Sequence, residues 1–184
     1  MKQYYNELSK YGKFMYDLCF KGAMFLVKNK ALYYTLAHTW GILLTLTGYI
    51  ITTGLLIFNA LLPVINWVAV KVFKKAPLDS AKLKTFYWVY YFNIGKHWGG
   101  MEMGTMFLTD SYDSDHTKKH EFGHSFQNAL LGPLMPFLVS IPSATRYWDR
   151  ELHPEKKHVP YDSVWFEMSA TDIGTAVVEF LNKK

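Results

Sequence analysis

The chain has 184 residues, enough for one domain with a proper core or for a membrane anchor joined to a small domain. Half of the residues are hydrophobic and 17% are aromatic, while the single cysteine, Cys19, excludes an intramolecular disulfide and any zinc–thiolate cluster. The net charge of +5 does not point to nucleic acid: the lysines gather beside an apolar stretch, at Lys21, Lys28 and Lys30 and again at Lys71, Lys74 and Lys75, where they suit anionic lipid headgroups.

In chain order, residues 4–27 mix lysines with Tyr, Phe, Met and Leu at helical spacing. This predicts an amphipathic helix, lying on a membrane surface or packed in a core. These polar-aromatic residues do not read as a cleavable leader. Between residues 31 and 70 no side chain is charged and Leu, Ile, Val and Thr predominate. A bilayer span needs about 20 such residues, so the stretch can hold one long tilted helix or two short ones. Basic flanks on both sides favour a hairpin with both ends in the cytoplasm, turning near residues 52–54 or 59–63. A pair of interfacial helices and a buried core helix are the other arrangements open to it. The expected organisation is an amphipathic segment at 1–30, a membrane segment at 31–75 and a catalytic domain at 76–184.

Residues 74–80, with Pro77 and Asp79, read as a linker. The run TFYWVYYF at 85–92 favours a strand, with an interfacial aromatic belt as the competing reading. Gly95, Gly99, Gly100 and Gly104 interrupt the next stretch of chain, and Thr105, Met106, Phe107, Leu108 and Thr109 form a short predicted strand. Lying just upstream of a histidine-rich helix at 116–131, that strand is expected to offer unpaired backbone groups to an extended peptide. DSYDSDH, residues 110–116, is an acidic turn in which Asp115 or Thr117 caps the helix. It lacks the glycine and distal glutamate of a calcium-binding loop.

HEFGH, at residues 120–124, carries the chemistry. On a helix, positions i and i+4 share one face, so His120 and His124 can aim at one Zn²⁺ about 2.0 to 2.1 Å from each nitrogen. Glu121 is rotated about 100° away and borders the metal, where a general base must stand. With the 7 histidines and the glutamates present, chance would produce this pattern in roughly one chain in a hundred. A helix that uses the histidine pair only for packing or hydrogen bonds is the other account. The helix should stop at Gly132 and Pro133, and Gln127, one turn on from the pair, is placed to hydrogen-bond a ligating histidine.

Apolar residues 130–141 contain or adjoin Pro133, Pro136 and Pro142, which forbid a straight spanning helix and leave a re-entrant segment or a core-lining loop. Pro160 opens a last helix with an apolar stripe of Val164, Trp165, Met168, Ile173, Ala176, Val177 and Phe180. A catalytic zinc needs a third protein ligand, and the best candidate is Glu167, whose apolar neighbours imply burial that a carboxylate tolerates only with a partner. His153, His158 and Asp162 are the reserves. For the oxyanion of an acyl-transfer reaction the candidate donors are Tyr161, His153, His158 and Arg146.

HEFGH followed by a glutamate on a later helix resembles the gluzincin branch of zinc metallopeptidases, which includes membrane-embedded members. The resemblance implies a minimal zincin-like core and an aspartate that orients a ligating histidine four residues after the glutamate. Thr171 occupies that place here and Asp172 comes after it, so either Thr171 or Asp172 is expected to take the role. The chain is also similar to small bacterial membrane-associated HExxH proteins, through TWGILLTLTG (39–48), WGGMEMG (98–104), KHEFGHSFQ (119–127), LGPLMPFLVSIPS (131–143) and YDSVWFEMSA (161–170).

The expectation is therefore a mainly α protein with a small β-sheet (α+β), a zincin-like core and N-terminal membrane helices. It would be a membrane-anchored zinc metallopeptidase of a bacterial inner membrane, its catalytic domain on the cytoplasmic side, acting on a peptide or membrane-protein substrate through zinc-activated water with Glu121 as base. The rival expectations are a non-catalytic membrane protein braced by zinc and a zinc hydrolase acting on a lipid or a non-peptide amide.

Overall fold

A computed structural model describes residues 4–184. Among them are helices α1 (Lys10–Leu26), α2 (Lys30–His38), α3 (Ile42–Lys71), α4 (Asp115–Leu131), α5 (Ile141–Leu152) and α6 (Trp165–Asn182). The strands are β1 (Lys82–Phe86), β2 (Val89–Asn93), β3 (Gly100–Met103) and β4 (Met106–Thr109). The architecture is mainly helical with one small mixed sheet, an α+β arrangement.

Helix α1 begins where the Ser9 hydroxyl accepts from the Gly12 N–H, and α2 where the Asn29 side chain accepts from the Leu32 N–H. On α1 the buried positions Met15, Cys19, Ala23 and Leu26 fall at helical spacing and pack against α4 and α6. Tyr33 and Ala37 of α2 are fully buried in the same core, beside Phe122 and Phe126. The amphipathic segment expected at 1–30 is therefore part of the core that residues 76–184 build, and not a separate layer; residues 1–3 of it lie outside the described residues.

The apolar stretch does not fold as a hairpin. It breaks at residues 39–41, upstream of both expected turns, and then continues as one helix through Pro63. Gly41 lets α4 pack against the break, because a Cβ there would lie 2.7 Å from the Asn128 amide nitrogen. Helix α3 is long and apolar enough to cross a membrane, and only 11% of its most apolar window is buried.

The aromatic run expected as one strand is a hairpin instead, turning at Tyr87, a non-glycine residue at φ 49°. Strand order is β1-β2-β4-β3, with β2 and β4 parallel and the other pairs antiparallel. Strand β4 is thus interior, hydrogen-bonded on both sides, and all four of its residues are buried. This overturns the expectation that residues 105–109 offer a free edge to a peptide; Thr105 lies in the buried turn before the strand. The edges belong to β1 and β3, and β3 is the one that lines the metal-site cavity. One face of the sheet packs Phe107 and Tyr91 toward α4, and the other packs Met103, Met106 and Leu108 toward α3.

Helix α4 runs through the middle, with every residue from His120 to Ala129 buried. Ser114, one residue before the expected cap, accepts from the Thr117 N–H, and Gly132 ends the helix at φ 55°. Its approach to α6 depends on two glycines: a Cβ on Gly123 would lie 1.9 Å from the Ala170 carbonyl oxygen, and one on Gly174 1.7 Å from that of Lys119. Any side chain there would drive the helices apart. Beyond α4 the prolines divide the chain into a 3₁₀ turn (Gly132–Leu134), a π turn (Pro136–Ser140) and α5, which takes Pro142 in its first turn. Helix α6 starts at Trp165, after a 3₁₀ turn at Tyr161–Ser163 that Pro160 precedes.

Candidate metal centre

The contact between α4 and α6 brings His120, His124 and Glu167 together. The His120 Nε2 lies 3.1 Å from the His124 Nε2, and the Glu167 Oε2 lies 3.0 Å from the first and 3.3 Å from the second. Donors 2.0 to 2.1 Å from a tetrahedral zinc stand roughly 3.3 to 3.4 Å from one another, so the triangle is close to the size such an ion sets. It is the one such group of metal-ligating side chains among the described residues.

Both imidazoles are held with the other nitrogen engaged. Gln127 donates its amide protons to the Phe166 carbonyl and the Ser169 hydroxyl, which leaves its Oε1 facing the His124 Nδ1 at 2.6 Å. That oxygen only accepts, so His124 keeps a proton on Nδ1, and Nε2 is the nitrogen that can give up its proton and turn a lone pair to the cluster. For His120 the partner is the Thr171 hydroxyl, 2.8 Å from Nδ1. Thr171 donates in turn to the Asp162 carboxylate at 3.1 Å. A hydroxyl has one proton, and Asp162 accepts it, so Thr171 accepts from the His120 Nδ1 and leaves the His120 Nε2 to the cluster. The orienting carboxylate is thus supplied through a hydroxyl relay. Asp172 does not take that role: it turns to α1 and accepts from the buried Tyr16 hydroxyl at 2.6 Å.

Glu167 is fully buried, and its Oε1 has no hydrogen-bond partner. A buried carboxylate with Oε2 against two imidazole Nε2 atoms and Oε1 left orphaned is a donor set that fits a divalent cation. Burial alone would raise the Glu167 carboxyl, but the two histidines outweigh it and hold it well below the usual carboxylate range. Burial would likewise depress His124, yet the hydrogen bond and charge of Glu167 raise it to about 9.

A cavity of about 1160 Å³ opens on the cluster. His97, Trp98 and β3, Tyr147, Trp148 and Tyr161, and Leu44 and Thr47 of α3 contribute to its lining. Glu121 faces it, buried, with its carboxylate beside the backbone of Glu102. Gly100 leaves room for that carboxylate, since a Cβ there would lie 2.6 Å from its Oε1. Burial pushes the Glu121 carboxyl up, against the lowering effect of His120 and His124.

Of the four candidate oxyanion donors, Tyr161 is the one on the cavity wall, its ring 6.4 Å from that of His120 and its hydroxyl near the Ser143 hydroxyl. Burial, with the charge of Glu167, raises its phenol, which keeps the proton in place. Arg146 spends its guanidinium on Pro160, Tyr161 and Ser163 and lies over the Tyr161 ring, so it positions Tyr161 and does not enter the cavity. His153 and His158 are exposed and bonded to the Asp149 and Glu155 carbonyls, away from the cluster. Asp162 lies behind Thr171 and is not a ligand.

Sequence reasoning missed Glu102. It is a buried β3 carboxyl on the cavity wall, pushed well above the usual range by burial despite His124, and bonded to the Gly104 N–H. A lone acid between methionines in WGGMEMG was the available signal. No protein-family model, curated protein or solved structure matches the chain.

Proposed function

We propose that this protein is a membrane-associated, zinc-dependent metallopeptidase of gluzincin type. The observation that carries the reading is the donor triangle of His120, His124 and Glu167, with both Nδ1 atoms engaged elsewhere and the Glu167 Oε1 left without a partner. These three residues would hold the ion, which when bound supplies Lewis-acid chemistry and brings the pKa of water to about 7. Three protein donors beside a cavity fit a catalytic centre better than the four-ligand cage of a structural zinc.

Glu121 stands next to His120 on the cavity wall, where its carboxylate can accept a proton from the attacking water and pass it to the leaving amine. Tyr161, which also lines the cavity, can donate its hydroxyl proton to the developing oxyanion. The free edge of β3 runs along the cavity wall, which suits an extended peptide better than a compact amide.

Membrane association is supported by α3, whose outer residues Leu43, Leu46, Ile50, Ile57, Leu61 and Val64 are each more than half exposed. A soluble domain does not leave so continuous an apolar face in water. The test is Glu121→Gln, which should keep zinc at wild-type affinity and abolish hydrolysis of a peptide library by vesicle-reconstituted protein. Undiminished hydrolysis would reject Glu121 as the base, and lost zinc would reject the assignment of separate roles.

A further inference from the structure

Helix α3 passes the length and hydropathy test for a transmembrane span. Its packing points to another orientation. The positions that meet the rest of the protein are Thr45, Gly48, Thr52, Leu55, Asn59, Leu62 and Asn66, alternating by three and four residues. That stripe is largely polar or small. Thr45 donates to the Ala37 carbonyl, and a Cβ on Gly48 would lie 2.3 Å from the Met103 carbonyl oxygen. Thr52 contacts the Met106 sulfur. Asn59 exchanges two hydrogen bonds with the backbone of Ala81, and Asn66 two with that of Leu78. The opposite face, about 180° around at 100° per residue, carries Leu43, Leu46, Ile50, Ile57, Leu61, Val64 and Val68. The polarity is inverted relative to a water-exposed helix, with the polar stripe inward and the apolar stripe outward.

The packed stripe from Thr45 to Asn66 covers about 31 Å of helix, as much as the hydrocarbon thickness of a bilayer at about 30 Å. If α3 crossed the membrane, whatever is packed along it would cross too. Strands β3 and β4 would lie within the hydrocarbon, as would exposed Asp79, between the segments bonded to Asn66 and Asn59, and exposed Lys82, next to Ala81. Charged groups and a free strand edge are excluded from lipid-facing positions at that depth.

We infer that α3 lies in the plane of the membrane, its Leu43-to-Val68 face dipped into one leaflet and the sheet held above it. The exposed lysines 71, 74 and 75 at its C-terminal end complement anionic headgroups of that leaflet. Because Leu44 and Thr47 on the flank of α3 also line the metal cavity, the cavity opens at the bilayer surface, and its substrates are peptide segments tethered to the same leaflet. The orientation rests on the membrane association proposed above and not on the hydrolytic reading; only the choice of a peptide substrate rests on the latter.

Spin labels on Leu43→Cys, Ile50→Cys, Ile57→Cys, Val64→Cys and Lys82→Cys, each in the full chain, test it in vesicles of phosphatidylcholine and phosphatidylglycerol. Native Cys19 is buried and its thiol is pushed up to about 12, so it does not compete for label. Oxygen and nickel-chelate accessibilities should place the four α3 positions at one shared depth of about 5 to 10 Å, with Lys82→Cys in water. A profile with Ile57→Cys near the midplane at about 15 Å, Leu43→Cys shallow and Lys82→Cys shielded would overturn the in-plane orientation while leaving membrane association intact. Chelate access at all five positions would overturn membrane association itself.

Discussion

Thr171→Val tests the hydroxyl relay behind His120. Valine keeps the shape of threonine and removes one oxygen, which deletes the 2.8 Å bond to the His120 Nδ1 and the 3.1 Å bond to Asp162. A net neutral hydrogen bond contributes about 1 kcal/mol and one to a charged group about 1.5 to 3 kcal/mol, so the metal-free protein should lose roughly 1 to 3 kcal/mol, at the lower end because Thr171 and Asp162 are only partly buried. Zinc binding loses more than stability alone accounts for. Without an acceptor at Nδ1 the imidazole can move its proton to Nε2, the atom facing the cluster, and loss of such a partner typically weakens metal binding 10- to 100-fold, about 1.4 to 2.7 kcal/mol. Competition against a chromophoric chelator, on protein shown to be folded by circular dichroism, measures this directly. Thr171→Ser restores the oxygen and should restore affinity. The relay is refuted if the valine variant binds zinc within about threefold of wild type, or if serine is as weak as valine.

The same packing and burial set three further outcomes. Gly123→Ala gains helix propensity of about 1 kcal/mol, yet its Cβ would lie 1.9 Å from the Ala170 carbonyl; net destabilisation above about 3 kcal/mol in urea unfolding and loss of zinc binding are expected, and a neutral or stabilising result would show that the helices can separate without consequence. Tyr161→Phe should lower kcat by roughly 10²- to 10³-fold with KM little changed in a peptide assay, and unaltered kcat would remove the phenol from the mechanism. Cys19 is pushed from its ordinary 9.0 up to about 12 by burial, so the folded state holds that proton more tightly than the unfolded chain. Its contribution to stability is complete below pH 9 and is lost toward pH 12, by up to about 1.4 kcal/mol per pH unit, so unfolding curves of wild type and Cys19→Ala should converge as pH rises through that window; parallel curves would contradict the burial effect.

The sequence announces the parts of the centre that local periodicity determines. His120 and His124 share a face by spacing alone, Gln127 joins them one turn on, and Glu167 is flagged by apolar neighbours that leave a carboxylate nowhere to be solvated. What escapes is whatever depends on order in space. WGGMEMG looks like a loop because its glycines hide a four-residue strand, yet that strand is the sheet edge beside the cavity, and the more strand-like Met106–Thr109 lies inside the sheet. Asp162 reaches His120 only through a second side chain nine positions away, a link that no spacing rule encodes. Tyr87 turns a hairpin at positive φ without glycine or proline to mark it. Hydropathy reads residues 31–70 as uniform, but the chain breaks at residues 39–41, where Gly41 fits against Asn128 with no room for a Cβ.

Gly123 and Gly174 let the two helices that carry His120, His124 and Glu167 meet peptide against peptide. The spacing of the donor atoms is consequently calibrated by rigid amide units, which have fixed dimensions, and owes little to how the surrounding aromatic rings settle. Drift in those rings over evolutionary or engineering time should leave the cage at its gauge, whereas one methyl group at either of two ligand-free positions resets it.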